Sequence, residues 1–477
     1  MKKAIVQRIL VFLHCFLMIA LFLGCWLLFY RQPATGGEYF VHDRTIFVCY
    51  SLVLVTLSNV YGCYKVGFSR AGELFLSQVL ANILSWGITY VMLCVMAQRL
   101  VNPLAGFGAF ALQCLISAVL IKIMGVVYYS MNKTKNAIII YRNDADLRKL
   151  EEIYNFKENW KITKRIRCNV GREHDLPNDQ KDESANTTDI HSLIEEMKGF
   201  DIVFVSGVNA TLRNGIVKHC VESDKECYFV PHTGDVIIAG ATHTRAFAVP
   251  ICKTGRCKIS PEYIFIKRLF DVLISLCGLV VLFPFMVGTA IAIKAYDRGP
   301  VLYKQVRLTK DGKEFKILKF RSMRVDAEKD GVARLSSGDS DDRITPVGKV
   351  IRAIRFDELP QLFNILRGDM SIVGPRPERP EIAAQYREVL PAFDLRLQVK
   401  AGLTGYAQIY GRYNTEPVDK LKMDLMYINN IGPVEDLKLL FATIRILFMK
   451  ESTVGIAEGQ TTAMAEQQEE KETAGVS

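Results

Sequence analysis

Four long apolar segments, at about 9–30, 45–64, 74–97 and 104–129, open this chain of 477 residues. Each is close to the ~20 residues that a helix needs to cross a bilayer. Hydrocarbon offers no partner to a backbone N–H or C=O, so such segments fold as helices or not at all. A hydrophobic fraction of 50% is high for a wholly soluble chain and points to a membrane component. The first segment follows Met1-Lys2-Lys3 and has no small-residue cleavage site before Arg31. It reads as a retained helix and not as a signal peptide. Lys2, Lys3 and Arg8 precede it, Lys65 and Arg70 lie between the second and third segments, and Lys133 and Lys135 follow the fourth. Only Arg31, Arg44 and Arg99 stand in the two opposite loops. The positive-inside tendency then places both ends of a four-helix transmembrane bundle, residues 1–132, on the cytoplasmic side.

A net charge of +10 suits contact with anionic lipid or with phosphorylated substrates, and equally the basic flanks of any membrane protein. The twelve cysteines are scattered, seven of them within apolar runs, where cysteine acts as a small hydrophobe. That usage fits a reducing compartment. Cys252 and Cys257 have no second Cys/His pair nearby, so zinc is not expected there.

Residues 136–258 alternate strand and helix patterns: strands at 137–141, 201–207 and 226–231, helices at 190–198 and 211–223. Alternation of this kind predicts a small Rossmann-like parallel α/β domain. Its first strand-to-helix turn, Tyr141-Arg142-Asn143-Asp144, lacks glycine, so a phosphate has no close approach to the backbone. A scaffold or regulatory role is the better expectation. The polar run 178–189 predicts a flexible surface loop. Farther on, Lys267 and Arg268 lead into an apolar run at 272–293, and Lys294 and Arg298 follow it. Basic flanks on both sides disfavour a crossing. Pro284 in mid-run breaks a helix. These features predict a re-entrant membrane helix at about 266–295, broken at Pro284, with a fifth spanning helix as the alternative. Two strands at 301–308 and 313–320, joined by Lys310-Asp311-Gly312, predict a hairpin. The expected organisation is thus residues 1–132, 136–258, an α+β catalytic domain at 261–450, and a disordered tail at 451–477.

The chemistry concentrates in RAIRFDELPQLFNILRGDMSIVGPRP, residues 352–377. Asp357 reads as the N-cap of a short helix with Pro360 in its first turn, an apolar stripe of Leu359, Leu362, Phe363 and Leu366, and a stop at Gly368. That position puts Asp357 at the positive end of a helix dipole, where phosphate is also stabilised. Arg376, set between two prolines, offers a bidentate grip on phosphate oxygens. Arg352, Lys319 and Arg321 add charge. A carboxylate among cations is expected to have a lowered pKa. It is suited to attack phosphorus, giving an acyl phosphate, or to hold Mg²⁺ against a diphosphate.

Three motifs, KFRSM at 319–323, FDELPQLFNILRGDMSIVGPRP at 356–377 and KAGLTGYAQIYGR at 400–412, together resemble the bacterial sugar transferases, the monotopic phosphoglycosyl transferase superfamily. The resemblance covers about 261–449. The four leading helices and the α/β domain are similar to those of its long forms, the undecaprenyl-phosphate hexose-1-phosphate transferases. It implies a bacterial inner-membrane enzyme that takes a UDP-sugar with Mg²⁺ at the cytoplasmic face. The residue matching Asp357 attacks the β-phosphate, UMP leaves, and undecaprenyl phosphate collects the phospho-sugar, beginning exopolysaccharide, capsule or O-antigen synthesis. Glu358 matches the dyad partner. Arg352 and Arg376 match phosphate-gripping arginines, and Lys319 and Arg321 match a basic motif near the site. Gly402, Thr404, Gly405, Gln408 and Arg412 fall in the motif tied to the sugar-nucleotide end. Long-form relatives imply a homodimer among membrane lipids, with no nucleic acid. Ala401 stands where the family often has proline, and Phe283 where it has serine before Pro284.

Two other classes fit parts of the chain. A membrane-tethered NAD-dependent nucleotide-sugar dehydratase or epimerase needs a glycine-rich fingerprint, which is absent, and a Tyr-x-x-x-Lys pair. The pairs present, Tyr61/Lys65, Tyr129/Lys133 and Tyr263/Lys267, all sit at the ends of membrane segments. In a non-catalytic assembly scaffold, the Asp357-Glu358 pair would be incidental.

Overall fold

Each leading apolar segment closes its own backbone hydrogen bonds as a helix, as hydrocarbon requires. In the computed structural model these are Lys2–Cys25, Tyr39–Val60, Ala71–Ala97 and Leu104–Met131. The structure describes residues 2–31, 39–66, 69, 71–131, 134–154, 160–168, 190–246, 249–325, 327, 341, 343–411 and 415–447. The expected loop at 178–189 and the expected tail from 451 lie outside the described residues. Ile5–Tyr30, Ala71–Ala97, Leu104–Met131 and the later Pro261–Asp297 are long and apolar enough to cross a membrane; Arg44–Val60, within the second helix, is shorter.

The bundle is built inside out. Phe12, Leu28, Leu52, Val91, Val95 and Phe107 point outward, whereas His14, Gln113 and Ser117 are fully buried. Gln113 donates to the Met18 carbonyl at 2.7 Å and to Tyr50 Oη at 2.9 Å, and accepts from Trp86 Nε1 at 2.7 Å. His14 bridges Tyr64 and Ser117, at 3.1 Å to each. Lipid tails are as apolar as leucine, so interhelical hydrogen bonds and close packing hold such a bundle. The Phe22 and Tyr50 rings stack at 3.7 Å in its centre.

In the same N-terminal unit, Met1–Val230, four parallel strands form one sheet in the order β2-β1-β3-β4. They are β1 (Lys135–Tyr141), β2 (Trp160–Arg167), β3 (Ile202–Val205) and β4 (Glu226–Phe229). β1 and β3 contain the fully buried runs Ala137–Ile140 and Ile202–Val205, the continuous apolar pattern of a strand covered on both faces. The sequence predicts three of these strands and misses β2. Its Lys161, Lys164, Arg165 and Arg167 belong to an edge, where charge blunts unwanted pairing and hides the strand signal. A parallel sheet takes ligands at its switch point, here between the ends of β1 and β3. Asp146 occupies that place, accepting from Ser206 Oγ at 3.1 Å. A Cβ on Gly207 would overlap its carboxylate.

The C-terminal unit, Pro231–Ser477, is organised along one helix of 37 residues, Pro261–Asp297. Pro284 lies inside this helix and does not end it. The expected interruption is therefore corrected: the helix continues because its inner face is packed against the rest of the unit along its length. Arg268 donates to the Ile365 and Leu366 carbonyls at 2.5 and 2.7 Å, and Asp271 accepts from Ile372 N at 3.0 Å. The Phe285 ring meets Phe356 edge-on at 6.2 Å. Met286 and Ile293 cluster with Phe320 and Ile351. Asp297 pairs with Arg321. The opposite face, including Phe265, Phe270, Val280, Val281, Phe283 and Ile291, is exposed.

After an antiparallel pair, β5 (Thr242–Ala246) with β6 (Val249–Lys253), the predicted hairpin is present as β7 (Leu302–Leu308) against β8 (Glu314–Phe320), antiparallel, with Tyr303 opposite Lys319. A short parallel pair, β9 (Ser371–Val373) and β10 (Gly402–Thr404), lies in the core with Ile365, Met370, Phe393 and Leu425. Asn364 joins β8 to the short helix Gln361–Arg367. It is fully buried, accepts from Leu318 N at 2.9 Å and donates to the Lys316 carbonyl at 2.9 Å. Asn364→Ala leaves both backbone groups unpaired. It is expected to cost about 1–3 kcal/mol, read as a lower midpoint in thermal unfolding of the detergent-purified protein.

Candidate active site

The two acids occupy a single 3₁₀ turn, Phe356–Glu358, entered through Arg355 in the left-handed region at φ 57°. Asp357 is not the N-cap that the sequence predicts. Were it so, Pro360 would fall at the third helical position, and proline has no N–H to donate to the cap. Leu359 N bonds the Phe356 carbonyl instead, at 3.2 Å, and the helix starts at Gln361. Asp357 is thereby free of backbone duty. The helix buries Leu362 and Ile365 and leaves Phe363 43% exposed, so the expected stripe is shifted by one face. Gly368 ends it at φ 93°, as the sequence predicts.

The turn rests on the long helix through Phe356 and Leu359, which pack with Met286 and Ile293. Glu358 Oε1 accepts from Arg376 Nη2 at 2.8 Å and from Lys319 Nζ at 3.1 Å. Three of the expected site residues thus meet at one oxygen. Arg352, from the last turn of the helix Pro346–Ala353, acts on Asp357 through its charge. Arg321 goes elsewhere: it is 7% exposed and paired with Asp297 rather than with the two acids.

The loop that carries Arg376 is fixed by glycine contacts. Cβ atoms on Gly374, Gly402 and Gly405 would overlap the Lys400 carbonyl, Gly374 N and the Gly374 carbonyl respectively. Gly374 N donates to the Thr404 carbonyl, and Gly402 N to the Pro375 carbonyl, both at 2.8 Å. Thr404 Oγ1 lies 2.6 Å from Thr443 Oγ1, and Gln408 Nε2 donates to the Leu403 carbonyl at 2.8 Å. Gly402, Thr404 and Gly405 therefore shape the arginine loop from behind. Arg412 lies outside the described residues. Asn364, Arg396 and Asp424 support the site without having been singled out in the sequence. A buried helix-interior asparagine, poor in helix propensity, was the one available signal.

The carboxyls titrate apart. Burial pushes Asp357 up, and the charge of Glu358 adds to this; Lys319, Arg352 and Arg355 pull back without reversing it. The expectation of a lowered Asp357 is corrected. Burial also acts on Glu358, but Arg376, Lys319 and Arg355 outweigh it and hold that carboxyl well below the usual range. The cations lower the acid they hydrogen-bond, and that acid is Glu358. Pairs pushed apart in this way divide their roles. A more basic carboxylate is also the better nucleophile.

Among the described residues no group of three or more His, Cys, Asp or Glu forms a metal cluster. A Mg²⁺ ion commonly takes one or two carboxylates and completes its shell with substrate phosphates and water. With Glu358 Oε1 engaged by two cations, Asp357 is the carboxylate suited to such an ion, and the donor set fits a metal that arrives with a diphosphate.

The sequence profile of the bacterial sugar transferases matches residues 262–450, which take in all but the first residue of the long helix and every element of this site. An exopolysaccharide production protein of Rhizobium leguminosarum bv. phaseoli is 40% identical over 190 residues, 38% of this chain and 93% of that protein. The chain belongs to the bacterial sugar transferase family. Its transferase region is also 41% identical over 191 residues to a UDP-N-acetylgalactosamine-undecaprenyl-phosphate N-acetylgalactosaminephosphotransferase of Aeromonas hydrophila. It is 41% identical over 191 residues to a UDP-glucose:undecaprenyl-phosphate glucose-1-phosphate transferase of Klebsiella pneumoniae. In both cases the match covers 39% of this chain, and 45% and 41% of those proteins, so it spans under half the length of either.

Glu358→Gln removes the anion that raises Asp357. If Asp357 must be ionised to react, the acid limb of the activity–pH profile is expected to move to lower pH while the plateau falls; a limb that stays in place would contradict the coupling.

Proposed function

We propose that this protein transfers a hexose-1-phosphate from a UDP-sugar to undecaprenyl phosphate, the first membrane step of a cell-surface polysaccharide. The observation that carries it is the junction at Glu358. There a carboxylate pair, a lysine and a proline-held arginine converge on a turn seated against an apolar helix. A diphosphate donor and a lipid acceptor need such a place, polar on one side and adjoining hydrocarbon on the other. The names of the Aeromonas and Klebsiella relatives support the same donor and acceptor classes.

In this mechanism Arg376, Lys319 and Arg352 take the diphosphate oxygens, and a Mg²⁺ ion, where bound at Asp357, supplies further neutralisation of that charge. An Asp357 Oδ attacks the β-phosphorus. The bond from that phosphorus to the bridging oxygen breaks, and UMP leaves with the electron pair. An oxygen of undecaprenyl phosphate then attacks the same phosphorus, and the Asp357 carboxylate departs. Glu358 keeps Arg376 and Lys319 in place through both steps. The four-stranded domain, Rossmann-like in its parallel strand order, acts as a scaffold, with Asp146 where an anionic cofactor would sit.

Contacts at Arg268, Phe285 and Asp297 with a single unit favour a long helix whose two ends stay on one side of the membrane over one that crosses. The catalytic unit then lies at the cytoplasmic face of the inner membrane. Cysteines placed at Ser260 and Arg298 should both be labelled by an impermeant maleimide from the cytoplasmic side of inverted vesicles. Labelling of the two from opposite sides would sink this topology.

Asp357→Asn is expected to lower lipid labelling from a radioactive UDP-sugar by at least about 10³-fold, the scale of losing a nucleophile, whereas Glu358→Gln should slow it. With donor alone, mass spectrometry should find the phospho-sugar on the peptide containing Asp357. Full turnover by Asp357→Asn would refute the nucleophile.

A further inference from the structure

Arg376 is flanked by Pro375 and Pro377, neither of which has a backbone N–H. The peptide plane that follows Arg376 can therefore be held only through the Arg376 carbonyl. A buried side chain does so: Arg396 Nη2 donates to that oxygen at 2.7 Å. The same guanidinium directs Nε and Nη2 to Asp424 Oδ2, each at 2.8 Å. Arg396 is 3% exposed and Asp424 1%. The Phe393 ring lies beneath the guanidinium, 5.0 Å from it. Neighbouring carbonyls of the loop are held by other means, Pro375 by Gly402 N at 2.8 Å and Pro377 by Arg307 Nη1 at 3.1 Å.

An ion pair buried this deeply is weak evidence of added stability, because apolar side chains of the same volume often pack as well or better. The carbonyl contact gives it a different use. We infer that Arg396 and Asp424 are positioning residues that aim the Arg376 guanidinium at Glu358 and at the donor diphosphate. This rests on the transferase function proposed above. Arg396 comes from the turn Pro391–Gln398 and Asp424 from the helix Pro417–Asn429, so the two tie separate segments to the loop. Asp424 fixes the plane of the Arg396 fork, Arg396 fixes the peptide plane, and the peptide plane sets where the Arg376 side chain departs. A displacement of ~1 Å at such a group is worth up to about a hundredfold in rate.

The test is a cycle on the full-length protein in nanodiscs, read by UDP binding and by UMP release from UDP-glucose and UDP-N-acetylgalactosamine. Arg396→Lys keeps the charge and loses the fork. It should weaken UDP binding and lower kcat/KM at least tenfold in the native background, and by less than twofold when Arg376 is already alanine. The paired change Arg396→Met with Asp424→Leu removes both charges and should melt within a few degrees of the native protein, yet show the same loss. Equal losses in both backgrounds, or native UDP binding by the paired variant, would overturn the positioning role. UDP binding that follows the cycle without UMP release from any donor would keep the positioning role and refute the transferase instead.

Discussion

A single carboxylate oxygen, Glu358 Oε1, is where three segments of chain meet: the 3₁₀ turn that holds both acids, strand β8 with Lys319, and the proline-bounded loop with Arg376. Two cations on one oxygen, in a setting largely closed to water, outweigh the cost of burying that charge. Glu358 is therefore anionic throughout the physiological range. The adjacent Asp357 is also penalised by burial, without the hydrogen bonds that Arg376 and Lys319 give its neighbour, and that neighbour's charge is against it. Adjacent residues of one turn thus become a fixed anion and a more basic carboxyl. The division follows from which acid the cations reach.

The apolar helix Pro261–Asp297 gives this junction its place. One face carries Asp271, Met286 and Ile293 into the C-terminal unit, and the other exposes large hydrophobic side chains. Because Phe356 and Leu359 pack on its inner face, the acids stand on the side of the helix opposite its exposed apolar side chains. In the N-terminal bundle the same physics appears reversed: polar side chains such as Gln113 and His14 turn inward and satisfy one another, and apolar ones face out.

Much of this was legible in the chain. The four leading helices, the β7–β8 hairpin and the glycine stop at Gly368 follow from periodicity and turn chemistry, which are local. Strand β2 was hidden because an edge strand carries charge. The role of Asp357 as a cap was misjudged, although Pro360, three residues on, already denied it an N–H. Arg321 was grouped with the site because it lies two residues from Lys319, yet it pairs with Asp297 beyond the end of the strand.

Alone, the sequence determined which segments are long and apolar enough to enter hydrocarbon, where the chain turns, and that two acids, a lysine and a proline-held arginine belong to the motifs of one family. Those properties depend on residues within a few positions of each other or on a motif of fixed spacing. Tertiary structure decided which acid the cations hold, hence the direction of each pKa, and it carried the long helix through Pro284 by packing one face of it. It also brought Gly402 and Arg396 behind the Arg376 loop. A charge-assisted hydrogen bond needs its partners within about 3 Å, and only the folded chain sets distances of that size between residues 18 and 39 positions apart.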